Sequence, residues 1–276
     1  MQNNLKFYSL ICFFYATAIN TAMPEFSNKH IFFDVGHVLV TPSALHALWY
    51  IGPQTILKYI LYYKKIPART LLQKRLFDFI NYATALPTHA SIHSCSCELP
   101  QIMYEWIVGK KTTVELLSTI NNSPLKDQFF DSAAERDLVL GLTNLFKPEY
   151  YVGLNKLNLG MLALLQQCLQ KYPNQVYILS NWDESYHLLK SSNPAIFKNM
   201  PPDHIIFSHQ VGYAKPDQQI FDYVAKQIKL EKRQCILIDD LAENITGITQ
   251  WGGLGILHIN PAQTQQTLER LLNEQP

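Results

Sequence analysis

The stretch His30-Ile31-Phe32-Phe33-Asp34-Val35-Gly36-His37-Val38-Leu39-Val40 constrains this chain more than any other. Ile31-Phe32-Phe33 is an unbroken run of strand-forming residues without two-residue alternation, as in a strand buried on both faces of a parallel sheet. It stops on a carboxylate, Asp34, and Gly36 follows, where backbone can approach a ligand closely. Open α/β sheets bind ligands at the carboxyl ends of their strands. An aspartate there also serves as an ordinary turn residue, so its meaning depends on recurrence.

The pattern recurs twice. Val176-Tyr177-Ile178-Leu179 stops on Ser180-Asn181, and Cys235-Ile236-Leu237-Ile238 stops on Asp239-Asp240. Between and after these runs lie helix-compatible segments at 157–170, 183–189, 217–228 and 242–250, a short apolar run at 205–207, and a last strand at 255–259. Gly252-Gly253 follows the 242–250 helix, where glycine takes the left-handed C-cap conformation. Strand–helix alternation with buried strands predicts an α/β fold, a Rossmann-like doubly wound parallel sheet. The region from 42 to 155 reads differently, with apolar residues at helical spacing around 48–61, 71–80, 102–108, 113–120 and 131–146. Residues 86–100 are Ser/Pro-rich and aperiodic, hence a loop. The predicted organisation is a core of 28–41 plus 156–276, interrupted by an α-helical cap at 42–155.

Composition narrows the class. The 276 residues suffice for one large domain or a domain with an insertion. A net charge of +1 with 16% charged residues provides no global field to recruit nucleic acid. Five cysteines, Cys12, Cys95, Cys97, Cys168 and Cys235, are too scattered for a disulfide framework. At the N-terminus, Lys6 precedes an uncharged, mostly apolar run at 7–18, followed by small-x-small sites at 16–18 and 20–22. This is the layout of a signal peptide over 1–22, and the run is shorter than the ~20 apolar residues of a membrane span. It implies a periplasmic or secreted protein with no stable span after cleavage; an uncleaved leader on a cytoplasmic protein is the alternative.

Three strand ends on one sheet edge make a site where one makes a turn. Clustered carboxylates repel unless a cation sits among them, and oxygen-only ligands suit Mg²⁺. Lys215, in the loop Val211-Gly212-Tyr213-Ala214-Lys215-Pro216, together with the Ser180 hydroxyl, suits an anionic group such as a phosphoryl. Asp34 then becomes a candidate nucleophile.

On these residues the chain resembles the haloacid dehalogenase-like (HAD) hydrolases, in the branch whose helical cap follows the first motif. The matching segments run from about residue 30 to the C-terminus: Phe33-Asp34-Val35-Gly36-His37-Val38-Leu39, Leu179-Ser180-Asn181, Val211 to Asp217, and Ile238-Asp239-Asp240 with Asn244. The resemblance implies Asp34 as nucleophile and metal ligand, and Ser180, Asn181 and Lys215 around the phosphoryl group of a small phosphorylated metabolite. It also implies Asp239 and Asp240 completing a Mg²⁺ site, Asp240 the direct ligand and Asp239 through water or a second layer. One position departs from the pattern. The acid/base aspartate usual two residues after the nucleophile is Gly36, whose carbonyl can face the metal but which shuttles no proton. His37 is then a candidate acid/base, its bland alternative being a hydrogen-bonded turn residue.

Two other functions compete: metal-free dehalogenation of a 2-haloacid, which the pair Asp239-Asp240 disfavours, and a degenerate exported binding or scaffold protein, which Gly36 favours. Elsewhere, His93 with Cys95-Ser-Cys97 has ligand chemistry but lacks a second pair at zinc spacing. Trp182-Asp183 reads as a pocket wall or as a helix start. Trp49, Tyr50, Tyr59, Tyr62 and Tyr63 are expected to pack the cap interior, and Lys64-Lys65 to be solvated.

Overall fold

The computed structural model of the chain describes residues 28–86, 88–94 and 97–273. The expected leader at 1–22 lies outside them, as does Cys95. Five strands form a parallel sheet: β1 (His30–Phe33) in the centre, β6 (Val176–Ser180) and β7 (Ile205–Phe207) on one side, β8 (Cys235–Asp239) and β9 (Leu254–Leu257) on the other. Every residue of β6 and β8 is buried, which explains their unbroken apolar composition. Neighbouring residues along β1 point to opposite layers. Ile31 and Phe33 join a cluster with the helices at Leu159–Lys171 and Pro261–Asn273, whereas Phe32 packs with those at Gln218–Ile228 and Ala242–Trp251. The sheet is therefore sandwiched between helices, a Rossmann-like core as the sequence predicts.

Between β1 and β6 the chain makes a long excursion. Its root is a short antiparallel pair, β2 (Val40–Pro42) with β5 (Asn155–Leu157). Beyond this neck come helices α1 (Ala44–Ile51), α2 (Pro53–Tyr63), α3 (Arg69–Thr84), α4 (Gln101–Ile107), α5 (Thr113–Asn122), α6 (Lys126–Phe129), α7 (Ala133–Leu142) and α8 (Pro148–Gly153). α5 starts where the sequence can supply its free amides: Thr112 and Glu115 form a reciprocal capping box. The block has its own cluster of buried side chains, including Phe79, Ile80, Trp106, Leu116, Ile120 and Val139. From the core, Ala214 is buried in the same cluster.

Two expectations need correction. Residues 86–100 contain an antiparallel hairpin, β3 (Thr88–Ser94) with β4 (Cys97–Pro100), whose register shifts between His89 and His93. Main-chain pairing needs no apolar alternation, so Ser- and His-rich strands escape a pattern search. The five aromatics also divide: Tyr59 is buried at 5% exposure, whereas Trp49 and Tyr62 stand 72% and 62% exposed. No helix among the described residues is long and apolar enough to cross a membrane.

Continuing in chain order, the core helices are α9 (Leu159–Lys171), α10 (Tyr186–Ser192), α11 (Pro194–Phe197), α12 (Ser208–Val211), α13 (Gln218–Ile228), α14 (Ala242–Trp251) and α15 (Pro261–Asn273).

Candidate active site

Because β6, β1 and β8 are adjacent and parallel, their final residues meet at one edge of the sheet. Asp34 is held there by its own backbone, which extends the ladder by donating to Ile238 O at 2.9 Å. Lys215 reaches the same place from a loop that leaves α12 through Gly212, whose φ of 80° is left-handed backbone that glycine adopts without strain.

Two contacts fix that loop. The side-chain amide of Asn181 pairs with the Lys215 backbone in both directions: Nδ2 donates to Lys215 O at 2.8 Å, and Lys215 N donates to Asn181 Oδ1 at 2.9 Å. On the other side, α14 presses against Pro216 at Gly247. A Cβ at that glycine would lie 2.7 Å from both Pro216 Cβ and Pro216 O. Asn181 thus spends its side chain on Lys215, not on a ligand, and only a structure with the loop in place reveals this.

The Lys215 side chain is fully buried, and its ammonium uses all three donors. It donates to Asp34 Oδ1 at 2.7 Å, Asp239 Oδ2 at 2.5 Å and Leu179 O at 2.8 Å. Burial works against its charge, but Asp239 and Asp34 outweigh that penalty and raise its pKa. The other Asp239 oxygen accepts from Leu241 N and Asn244 Nδ2, both at 2.9 Å. Asp239 is therefore committed on both oxygens, whereas Asp240 makes no ion pair among the described residues. Oxygens of Asp34, Asp239 and Asp240 lie within 4.8 Å of one another, among the described residues the sole acidic, His or Cys group close enough to share a metal ion.

Asp34 and Asp240 hold protons more tightly than free carboxylates. Burial pushes Asp34 up to about 6, opposed by Lys215 and reinforced by Asp239. Burial and the charges of Asp34 and Asp239 push Asp240 up to about 7. The Ser180 hydroxyl, beside Asp34, is buried without a hydrogen-bond partner of acceptable geometry. A buried hydroxyl left so costs free energy until something occupies the space before it.

The remaining expected residues are placed differently. Gly36 has ordinary backbone, and a Cβ there would meet only Asp34 Oδ2, at 3.7 Å. His37 is exposed, in left-handed backbone at φ 57°, and makes no hydrogen bond with the residues above. Crowding around its ring and the Arg69 charge lower its pKa. That direction favours the uncharged imidazole. The inserted block also touches the loops of this edge. Ser208 Oγ donates to Ile107 O (2.9 Å), Thr113 N to Glu184 Oε1 (3.0 Å), and Tyr104 OH to Asp217 Oδ2 (3.1 Å). Gly247 and these docking contacts carry no spacing signal, and sequence reasoning missed them.

In fold the chain is similar to a solved protein described as a HAD-like hydrolase. A predicted HAD-like family hydrolase from Porphyromonas gingivalis superposes with a TM-score of 0.52 at 16% identity, over 90% of this chain and 98% of that one. A HAD family enzyme from Bacteroides thetaiotaomicron, solved in complex with magnesium and inorganic phosphate, aligns at TM-score 0.47 and 15% identity over 83% and 92% of the two chains. A putative β-phosphoglucomutase from Thermotoga maritima aligns at 0.44 and 13% over 88% and 100%. No family model and no curated protein sequence matches the chain.

Proposed function

We propose that this chain is a Mg²⁺-dependent hydrolase that cleaves a small phosphate ester through a covalent intermediate on Asp34, with the inserted block as a cap over the site. The observation that carries the reading is the meeting of Asp34, Lys215, Asp239 and Asp240 at one sheet edge beside an unpartnered Ser180 hydroxyl. Three carboxylate oxygens within 4.8 Å are a donor set for a hard divalent cation, and burial together with the charges of Asp34 and Asp239 raises the Asp240 pKa. Asp34 and Asp240 would hold Mg²⁺, with the Gly36 carbonyl a further donor, while Asp239 stays on Lys215 and Asn244. When bound, the ion supplies charge stabilisation to the transferring phosphoryl group.

The chain's own residues do the rest. The Asp34 carboxylate attacks phosphorus, the bond to the ester oxygen breaks, and the departing oxygen takes its proton from water. Water then attacks the acyl phosphate, releasing phosphate and restoring Asp34. The Ser180 hydroxyl donates toward a phosphoryl oxygen, and the Lys215 ammonium, its three donors held by Asp34, Asp239 and Leu179, adds its positive charge beside the transferring group. With Gly36 at the acid/base position, no side chain there protonates the leaving group. The reading favours substrates whose leaving group departs without strong assistance and a correspondingly slow rate on alkyl esters.

The test is phosphate release from an aryl phosphate with Mg²⁺ and with chelator, in the full chain and in Asp34→Asn. Mg²⁺-dependent turnover abolished by the substitution is the expected result. Halide release from a 2-haloacid without metal would replace the reading with dehalogenation. Mg²⁺ binding without any turnover would make the chain a binding protein on a hydrolase scaffold.

A further inference from the structure

The strongest feature outside the acidic cluster is the outer surface of α1 and α2. Both helices rest on α7, and α1 also touches the 3₁₀ turn at Thr143–Phe146. Ile51 and Tyr59 face inward. The outward faces carry Leu45 and Trp49 one turn apart on α1, Leu57 and Leu61 one turn apart on α2, then Tyr62 and Ile66, all more than half exposed. Soluble proteins seldom leave so many large apolar side chains uncovered in one short segment.

The segment that carries this face has charge of one sign. Between residues 35 and 77 there is no aspartate or glutamate, against six lysines and arginines. Three of the six are ion-paired within the chain: Lys58 with Asp137, Lys74 with Asp78, Arg75 with Glu135. Lys64, Lys65 and Arg69, just after the apolar turns of α2, make no ion pair among the described residues. A helical face of leucines with an exposed tryptophan and tyrosine, edged by unpaired cations, has the chemistry of an interfacial membrane anchor. A second copy docking through the same segment would bring those cations no acidic residue from residues 35–77.

We infer that the α1–α2 face docks on an anionic lipid surface, with Trp49, Leu57 and Leu61 entering the headgroup boundary and Lys64, Lys65 and Arg69 on lipid phosphates. This would place the inserted block at a bilayer without a membrane-spanning helix among the described residues. The inference does not depend on the reaction proposed above.

Trp49 makes the test local. The other three tryptophans, Trp106, Trp182 and Trp251, are no more than 5% exposed, and residues 1–27 contain none. The full chain is mixed with vesicles of phosphatidylglycerol and phosphatidylcholine, with phosphatidylcholine vesicles alone, and with a brominated form of each lipid. The expected result is a blue shift and bromine quenching of Trp49 with anionic vesicles, fading with added salt and absent from Trp49→Phe. Leu57→Glu/Leu61→Glu should weaken partitioning at least tenfold, and Lys64→Glu/Lys65→Glu should abolish the preference for anionic lipid, while both variants keep the parent's thermal unfolding. Co-sedimentation without a Trp49 response would mean that another segment binds, and would overturn the inference. So would equal binding to neutral vesicles, no binding to either, or a Trp49 shift that follows protein concentration without lipid.

Discussion

Asp240→Asn should make the metal-free protein more stable at alkaline pH, although it alters a residue at the heart of the candidate site. In the folded chain Asp240 titrates near 7 instead of its ordinary 3.8. An acid whose folded value lies above its unfolded value binds its proton more tightly when folded, so stability falls as pH rises from about 4 through about 7. Above that window Asp240 carries its charge while largely buried and beside the charges of Asp34 and Asp239. At about 1.36 kcal/mol per pH unit the rise sets a ceiling of ~4 kcal/mol, which partial exposure and solvent screening reduce to ~2 kcal/mol. Asparagine keeps the shape and removes the charge, so thermal unfolding in chelator at pH 8 should rise by roughly 4–6 °C. At pH 4 the two proteins should unfold together, because Asp240 is then protonated in the folded chain. Saturating Mg²⁺ should raise the unfolding temperature of the parent and leave Asp240→Asn nearly unmoved. A lower unfolding temperature for the variant in chelator at pH 8, or a gain that persists at pH 4, would refute the electrostatic account.

Asn181→Ala removes both hydrogen bonds that hold the Lys215 backbone and should cost about 1–3 kcal/mol in urea unfolding; an unchanged midpoint would show that the clamp is idle. Gly247→Ala drives a methyl group to 2.7 Å from Pro216 O, where backbone must give way, so a loss of about 1–3 kcal/mol is expected by the same assay. Its turnover should fall as well, since Lys215 moves with Pro216; parental stability and rate together would remove Gly247 from the site's support. Gly36→Asp meets no obstacle closer than 3.7 Å and restores a proton donor beside Asp34. Steady-state rates on an alkyl phosphate should increase about 10²-fold, and no change would locate the slow step elsewhere.

The fold class was legible because a strand buried on both faces has no room for polar residues. Ile31-Phe32-Phe33, the 176–179 run and the 235–238 run had to be unbroken, and their first polar residue had to fall at the sheet edge. The hairpin at 88–100 was illegible for the converse reason: its cohesion is main-chain pairing, which leaves little trace in side-chain hydrophobicity. The neck of β2 and β5 escaped because three residues are too few to establish an alternation. Trp49 and Tyr62 show the limit of helical spacing, which says that residues share a face but not which face is covered.

The sequence by itself determined that Asp34, Ser180, Asp239 and Asp240 would share a neighbourhood, since parallel strands in one sheet bring their carboxyl ends together, while the loop residue Lys215 was expected there from the family resemblance. Only the tertiary structure decided how they divide the work. Lys215 fills its three donors with Asp34, Asp239 and Leu179, Asn181 turns from the site to hold the lysine's backbone, and Asp240 makes no ion pair among the described residues. Each of those roles depends on ångström-scale contacts between segments tens of residues apart, and no local pattern in a chain encodes such distances.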